Sequence, residues 1–176
     1  MHEVIPLGGY GASVDDEEPR WLTPEEQQAW LALVGVVVRL PAALDAQLRR
    51  DSGLSHFEYL VLAGLSESPD LTLRMSVLAD FAEGSLSRLS QVVARLERRG
   101  WVERATDPAD RRATLARLTD AGWETVVAAA PGHVAEVRRL VLDPLTATQV
   151  GQLARIARRI GDAVDPDGCG PAGVPG

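Results

Sequence analysis

The sequence has a single cysteine, Cys169, so the chain cannot contain a disulfide framework of its own. Uninterrupted apolar runs are short, and none approaches the roughly 20 residues that a membrane-spanning helix requires. The first 20 residues have neither a basic start nor an apolar segment, so we do not expect a secretory signal. These absences predict a cytoplasmic protein without a membrane partner.

Lysine is entirely absent, because all 18 basic residues are arginine. Arginine is well suited to bidentate contacts with guanine bases and phosphates, although codon bias in a GC-rich genome explains the same composition. The net charge of −7 argues mildly against a polyanionic partner, but the charges are unevenly distributed. Residues 1–30 contain seven carboxylates and one arginine, whereas residues 74–117 contain nine arginines and six carboxylates. Because ions screen charges beyond about 8–10 Å, the local balance permits a DNA partner.

The motifs of common catalytic and metal sites are also missing. The glycine-rich stretch 8–11 follows no convincing strand and lacks the Lys-Ser/Thr pair of a phosphate-binding loop. The histidines His2, His56 and His133 are far apart in sequence, so we expect no metal site. Cys169 has no basic neighbour that would activate its thiol, which disfavours a redox switch. We therefore expect neither an enzyme nor a resident cofactor.

The most informative stretch, residues 85–119, begins with a helix that Ser85 caps. One face of this helix is apolar, formed by Leu86, Leu89, Val92, Val93 and Leu96. The opposite face collects hydroxyl, amide and guanidinium groups, from Ser87, Arg88, Gln91, Arg95 and Arg98. Such groups can reach phosphates and base edges in a major groove, although a solvated face is the simpler interpretation. Gly100 is predicted to end the helix with a positive φ.

After Gly100 the pattern becomes alternating, which predicts two short strands at 101–104 and 114–118. The connection between them holds Asp107-Pro108, which favours a turn, and the run Asp110-Arg111-Arg112 at its tip. A helix followed by a hairpin with a basic tip is the layout of a winged helix-turn-helix. In that layout the helix enters the major groove and the tip can place an arginine in the adjacent minor groove.

Apolar periodicity and capping residues predict the remaining elements, and the expected caps include Thr23, Ser55, Thr119 and Thr146. The predicted helices are 23–50, 56–66, 77–83, 120–141 and 147–164, with a short strand at 71–74. Ser76 is the expected cap of the third of these helices. Pro41 and Pro131 lie inside the two longest helices and predict a kink or a break in each.

In this order the elements resemble the MarR family of bacterial transcriptional regulators, over residues 23–164. Three motifs carry the resemblance: Leu96-x-x-x-Gly100-Trp101-Val102-x-Arg104, Asp107-x-x-Asp110-Arg111-Arg112 and Leu118-Thr119-x-x-Gly122. The family signature, an Asp and an Arg just before the second wing strand, is represented here by Asp110 and Arg112.

The resemblance implies a mainly α fold with a small β-hairpin wing, in which a winged helix-turn-helix is attached to a helical dimerisation frame. The frame would comprise residues 23–52 and 119–164, and the DNA-binding domain residues 53–118. A flexible acidic arm at 1–22 and a disordered tail at 165–176 would complete the chain. The resemblance further implies a homodimer that binds a palindromic, double-stranded DNA operator as a repressor.

The residues expected to contact DNA are Ser85, Ser87, Arg88, Gln91, Arg95, Asp110, Arg111 and Arg112. The resemblance implies that Arg112 enters the minor groove and that Asp110 orients it. Family members often release DNA on binding a small aromatic effector between the frame and the DNA-binding domain. The candidate effector contacts are Trp30, His56, Tyr59 and Trp123, although buried aromatic residues more often belong to an ordinary core.

A second interpretation is a winged-helix module that binds protein without specific DNA recognition. The presence of Arg112 and of the basic helix face favours DNA binding over protein binding, because a protein-binding wing does not need them. Binding by such a module would also depend little on salt.

Overall fold

A computed structural model describes residues 19–82 and 84–165. The elements in that part of the chain are α1 (Pro24–Ser52), α2 (His56–Glu67), β1 (Thr72–Arg74), α3 (Met75–Phe81), α4 (Leu86–Arg98), β2 (Val102–Thr106), β3 (Thr114–Leu118), α5 (Asp120–Val137) and α6 (Ala147–Val164). A 3₁₀ turn at Pro69–Leu71 precedes β1, and a π-helical turn at Arg138–Leu142 follows α5. Most of the acidic arm, the glycine-rich stretch and the tail with Cys169 lie outside the described residues.

The described residues fall into two compact units, which divide between Val36 and Val37. In the first unit, α1 begins with the reciprocal cap that the sequence predicts. The Thr23 N–H donates to Glu26 Oε2 at 2.8 Å, and the Glu26 N–H donates to Thr23 Oγ1 at 3.2 Å. Trp30 is 56% exposed on this part of the helix.

In the second unit, one hydrophobic core joins α2, α3, α4 and the three-stranded sheet, which we call the winged-helix lobe. Its fully buried side chains include Leu48, Leu62, Leu78, Leu89, Leu96, Val102 and Leu118. On α4 the predicted apolar positions Leu89, Val93 and Leu96 are buried, as their helical spacing indicates. Leu86 departs from the prediction: it is 53% exposed, because the first residue of α4 faces the wing and not the core.

The three strands form one antiparallel sheet in the order β1-β3-β2. In the wing hairpin Val102 pairs with Leu118 and Thr106 with Thr114, while Leu73 of β1 pairs with Ala116. The mainly α fold with a small sheet confirms the predicted fold class, and the pairing of β1 with the hairpin confirms the predicted third strand.

Local capping explains where α4 and α5 begin and end. The Ser85 hydroxyl accepts the N–H of Arg88 at 3.2 Å, and Gly100 takes the predicted positive φ of 74° after α4. Thr119 caps α5 by accepting the N–H of Gly122 at 3.1 Å. A Cβ at Gly122 would lie 2.2 Å from the carbonyl oxygen of Trp101, so a side chain cannot be accommodated there. This contact explains the glycine of the Leu-Thr-x-x-Gly motif.

The prediction for α3 was wrong at both ends. The helix begins at Met75, directly after β1, with Arg74 at the N-cap position and no side-chain hydrogen bond, so Ser76 is not the cap. It ends at Phe81, before the predicted Glu83. The reason is that the extended backbone of Arg74 continues from the strand straight into the helix, which leaves no turn for Ser76 to cap.

Neither proline breaks its helix, so of the predicted kink or break the break is excluded, while the kink stays a prediction. α1 continues through Pro41 and α5 through Pro131. A proline removes one backbone N–H and crowds the carbonyl four residues earlier, but the turns on both sides keep the helix continuous. The helical irregularity lies instead at Arg138–Leu142, where the turn is π-helical.

The absence of a membrane partner stays a prediction. By length and composition alone, α1 is long and apolar enough to cross a membrane. Helices that are buried inside soluble proteins meet the same criterion, so this property alone does not assign α1 to a bilayer.

Candidate nucleic-acid interface

α4 presents a continuous polar face to solvent because its apolar face is anchored in the core. Ser85, Ser87, Arg88, Gln91 and Arg95 are all exposed. Leu89, Val92, Val93 and Leu96 fix the opposite side of the same helix. The predicted polar residues therefore share one solvent-facing surface on a rigid element.

Two arginines of this face are positioned by α2. The guanidinium carbon of Arg88 lies 4.2 Å from the centre of the Phe57 ring, within the range of a cation–π contact. Arg95 Nε lies 3.4 Å from Glu58 Oε1, and Glu58 Oε2 also accepts the N–H and hydroxyl of Ser55 at 2.8 Å. Burial opposes ionisation of Glu58, but these hydrogen bonds outweigh it and lower the pKa of the carboxyl. Glu58 is thus a charged buried group that fixes α2 against α4.

The tip of the wing is held by hydrogen bonds to its own backbone. Asp107 Oδ1 accepts the N–H of Ala109 at 2.8 Å, and Asp110 Oδ1 accepts the backbone N–H of Arg112 at 3.0 Å. Asp110 therefore stabilises the turn beneath Arg112, and its recorded contact is with the backbone and not with the guanidinium. The side chains of Asp110, Arg111 and Arg112 are exposed.

An ion pair that the sequence analysis missed connects the wing to β1. Arg74 Nε and Nη2 lie 2.8 and 2.7 Å from Asp107 Oδ2. The backbone N–H of Ala109 and the Arg74 guanidinium together lower the pKa of Asp107, against the opposing effect of burial. The only related signal in the sequence was the predicted strand that ends at Arg74, and it did not indicate that the guanidinium would reach Asp107.

A cavity of about 410 Å³ lies between the first turns of α3 and α4 and the wing. Its lining consists of Arg74, Met75, Ser76, Leu86, Ser90, Arg104, Asp110, Arg112, Ala113 and Thr114. Three arginines and one aspartate line the same space, and two of these arginines, Arg74 and Arg104, are ion-paired with Asp107 and Glu97. The cavity brings Asp110 and Arg112 of the predicted set together with the start of α4.

The sequence and the fold of this chain match those of known proteins. A family model of the MarR family matches residues 52–113. Sco3205, a MarR family transcriptional regulator from Streptomyces coelicolor whose crystal structure was solved in complex with DNA, is 45% identical, with a TM-score of 0.82 over 86% of this chain and 95% of that one. This chain belongs to the MarR family. It is therefore a DNA-binding transcriptional regulator with a winged-helix fold.

Two further relatives support the MarR assignment over most of their own length. AbsC, a MarR family transcriptional regulator from Streptomyces coelicolor, is 37% identical, with a TM-score of 0.79 over 85% of this chain and 100% of that one. The HTH-type transcriptional regulator YdcH of Bacillus subtilis is 30% identical over 115 residues, covering 64% of this chain and 71% of the relative. These are regulators, and the family is one of transcription factors.

Among the candidate effector contacts of this MarR protein, His56 and Tyr59 lie together on α2. The Tyr59 ring centre is 4.4 Å from that of His133 on α5, and the His56 ring centre is 5.7 Å from it. Trp123 is half-exposed on α5, and Trp30 belongs to the first unit. His133 was missed because its partners on α2 lie more than 70 residues earlier in the chain.

Two buried polar atoms near this aromatic cluster have no hydrogen-bond partner among the described residues: Gln47 Oε1 and His133 Nδ1. Gln47 is 2% exposed, and its Nε2 lies 3.3 Å from the position of a Cβ at Gly132, next to His133. Burial lowers the pKa of both His56 and His133, and the charge of His56 lowers that of His133 further. Although the two histidines are close, residues 19–82 and 84–165 contain no group of three metal-ligating side chains.

Proposed function

We propose that this protein is a cytoplasmic, ligand-responsive repressor that binds a palindromic operator as a homodimer. The observation that carries the proposal is the exposed polar face of α4 beside the arginine-bearing wing tip. A relative that shares 45% of the sequence was solved in complex with DNA, which supports the same use of this surface.

In this proposal Ser87 and Gln91 face base edges in the major groove, since neither side chain has a recorded partner within the described residues. Ser85, Arg88 and Arg95 contact phosphates at the edge of the groove, with both arginines pre-oriented by α2. At the wing, Arg112 enters the minor groove from the turn that Asp110 stabilises, with Arg111 beside it.

The homodimer is proposed because several described helices leave apolar side chains in water. On α6 the residues Leu153, Ile156, Ile160 and Val164 recur at helical spacing and are all exposed, as are Val127 and Val134 on α5. In the first unit Trp30, Leu31 and Leu33 are exposed as well. Each Å² of apolar surface left in water forgoes about 25 cal/mol, so a second copy that covers these faces is favoured.

We assign the dimerisation frame to residues 23–52 and 119–164 and the DNA-binding domain to residues 53–118, because the exposed apolar faces lie in the former. A two-fold symmetric dimer presents two identical copies of α4, and such a pair matches an operator whose half-sites are inverted repeats. This symmetry is the physical basis for the palindromic site.

The effector site is proposed at the cluster of His56, Tyr59, His133 and Gln47. Buried polar atoms are almost always hydrogen-bonded, so Gln47 Oε1 offers an acceptor to a small molecule, and His133 Nδ1 offers a donor or an acceptor according to its tautomer. The adjacent rings suit an aromatic molecule. Trp30 and Trp123 stay predictions for this site.

A fluorescence-anisotropy titration tests the central claim, with the chain's own upstream intergenic DNA and a scrambled duplex compared at two salt concentrations. We expect tighter binding to the upstream DNA and weaker binding to both duplexes at the higher salt concentration. Weak, salt-insensitive binding that is equal for both duplexes would instead indicate a winged-helix module for a protein partner.

A further inference from the structure

The arginines that line the cavity between α4 and the wing are held in a shared arrangement. Arg104 Nε donates to Glu97 Oε2 at 2.8 Å, and Glu97 Oε1 accepts the Arg104 backbone N–H at 3.2 Å. Arg74 is held in the same way by Asp107, through its Nε and Nη2 atoms. In both residues a carboxylate engages the Nε–Nη2 edge of the guanidinium.

This arrangement leaves donors available at each guanidinium. An arginine has five N–H donors in a fixed plane, and within the described residues no partner is recorded for Nη1 of Arg74 or Arg104. Their side chains are 47% and 39% exposed, so a further acceptor can reach them. The guanidinium of Arg112 has no recorded partner in the described part of the chain, apart from the hydrogen bond that its backbone makes.

The remaining lining favours an anion with several oxygens. Ser76, Ser90 and Thr114 line the same cavity, and a hydroxyl group can donate to such oxygens. Asp107 and Glu97 balance the charges of Arg74 and Arg104 but leave their Nη1 donors open, and Asp110 Oδ1 already accepts the backbone N–H of Arg112. Tetrahedral phosphate oxygens match arginine forks and hydroxyl donors better than a flat aromatic effector does.

We propose that this cavity binds one phosphodiester of the DNA strand that passes between α4 and the wing, with Arg74, Arg104 and Ser90 as the holding residues. The proposal rests on the proposed function, because it needs α4 and the wing to engage adjacent grooves. The ion pairs to Asp107 and Glu97 keep the guanidiniums in position before DNA arrives, which reduces the ordering cost of binding.

The decisive comparison is Arg104→Gln against Arg117→Gln in the full chain. Arg117 is an exposed arginine on β3 and does not line the cavity. It follows Ala116, the partner of Arg104, so its side chain points to the opposite face of the sheet. Anisotropy titrations with upstream and scrambled DNA over a series of salt concentrations give both affinity and its salt dependence.

We expect Arg104→Gln to weaken binding roughly tenfold on both DNAs, with the preference for upstream DNA unchanged. The slope of log K against log salt should become shallower by about 0.9, the value for one phosphate contact. Arg117→Gln should leave both quantities unchanged. Equal losses in the two variants would overturn the proposal, because they would indicate a diffuse charge effect, and so would a loss confined to the upstream DNA.

A second variant distinguishes an effect on phosphate binding in the cavity from an effect on the stability of the wing. Ser90→Asp places a carboxylate in the cavity from α4 without altering either ion pair, and it should weaken binding to both DNAs more than Arg104→Gln. Circular dichroism melting of each variant checks the fold. A well-folded Ser90→Asp protein with wild-type affinity would overturn the proposal.

Neutral methylphosphonate linkages, placed one at a time along the duplex, identify the source of the phosphate. One position in each half-site should weaken wild-type binding but have little further effect on Arg104→Gln. If no position behaves in this way, while inorganic phosphate displaces DNA from the wild type more than chloride does at equal ionic strength, the cavity binds a free anion and the proposal fails.

Failure of the proposed function can be distinguished from failure of the cavity proposal. If wild-type protein does not prefer upstream DNA, the proposed function fails, but the salt slopes measured on scrambled DNA still test whether the cavity binds a phosphate.

Discussion

The winged-helix lobe and α6 use the same kind of amphipathic helix with opposite results. On α4 the apolar stripe of Leu89, Val93 and Leu96 is buried in the lobe's own core. On α6 a stripe of equal regularity is exposed, and Ile156 is 56% accessible to solvent. A periodic pattern therefore specifies that a face will be covered, but not whether the same chain covers it.

The comparison predicts that core truncation in the lobe has the largest effect on stability. Leu96→Ala should lower the free energy of unfolding by about 2–5 kcal/mol, because it leaves a cavity among fully buried neighbours. Urea denaturation followed by circular dichroism measures the change. Ile156→Ala is the matched control and should change the midpoint only in a concentration-dependent way. An equal, concentration-independent loss in both variants would contradict the difference between the two regions.

Charge on the α6 stripe should break the dimer while the lobe stays folded. In the double variant Ile156→Glu, Ile160→Glu, a second copy could cover the stripe only by burying unpaired carboxylates, which costs several kcal/mol. Sedimentation velocity should give a dimer for the wild type and a monomer for the variant, with operator affinity reduced because two half-sites are no longer linked. A variant that stays dimeric would show that α6 does not contribute to the interface.

Changes on the exposed surface of the lobe should affect DNA binding and not folding. Arg112→Ala should weaken operator binding by roughly 1–3 kcal/mol and leave the melting temperature and dimer unchanged, since a wing tip buries little. Gln91→Ala should instead alter the preference among operator sequences. Anisotropy titrations with single-base operator variants distinguish a loss of affinity from a change in sequence preference. Unchanged operator affinity in Arg112→Ala would exclude a role for the wing tip in DNA binding.

The smallest effect should come from pH. In the folded chain burial holds the pKa of both His56 and His133 below the ordinary value of 6.5. The unfolded chain therefore binds protons more readily, so stability is complete above pH 6.5 and declines as the pH falls through that value. Urea midpoints between about pH 8 and about pH 5 measure the decline. His133→Gln should reduce it, and an identical pH profile in the variant would contradict the assignment.

Features set by local chemistry could be predicted from the sequence. The caps at Thr23, Ser55, Ser85 and Thr119, the positive φ of Gly100 and the wing hairpin depend on residues a few positions apart, and each was confirmed. The start of α3 could not be predicted in this way, because the strand before it removes the turn that a cap would need.

Features that depend on tertiary contacts were missed. Arg74 and Asp107 are 33 residues apart in the chain, and no local pattern indicates that one guanidinium will reach that carboxylate. The contact of His133 with Tyr59 likewise depends on how α5 packs on α2. Leu86 fits a local pattern but does not follow it. Its spacing matches the apolar stripe, yet its position at the first turn of α4 directs it towards the wing.

The junction between the wing and α5 has a mechanical consequence. Thr119 is tied to the end of α4 by its N–H to Trp101 O at 3.1 Å and its hydroxyl to Gly100 O at 2.7 Å, and Gly122 packs directly on Trp101. The start of α5 is thus rigidly connected to the end of α4. At 1.5 Å per residue its 18 residues form a lever of about 27 Å, so a rotation of about 5° at this connection displaces the far end by about 2 Å. A small rotation at the end of α4 is therefore equivalent to a much larger displacement at the far end of α5.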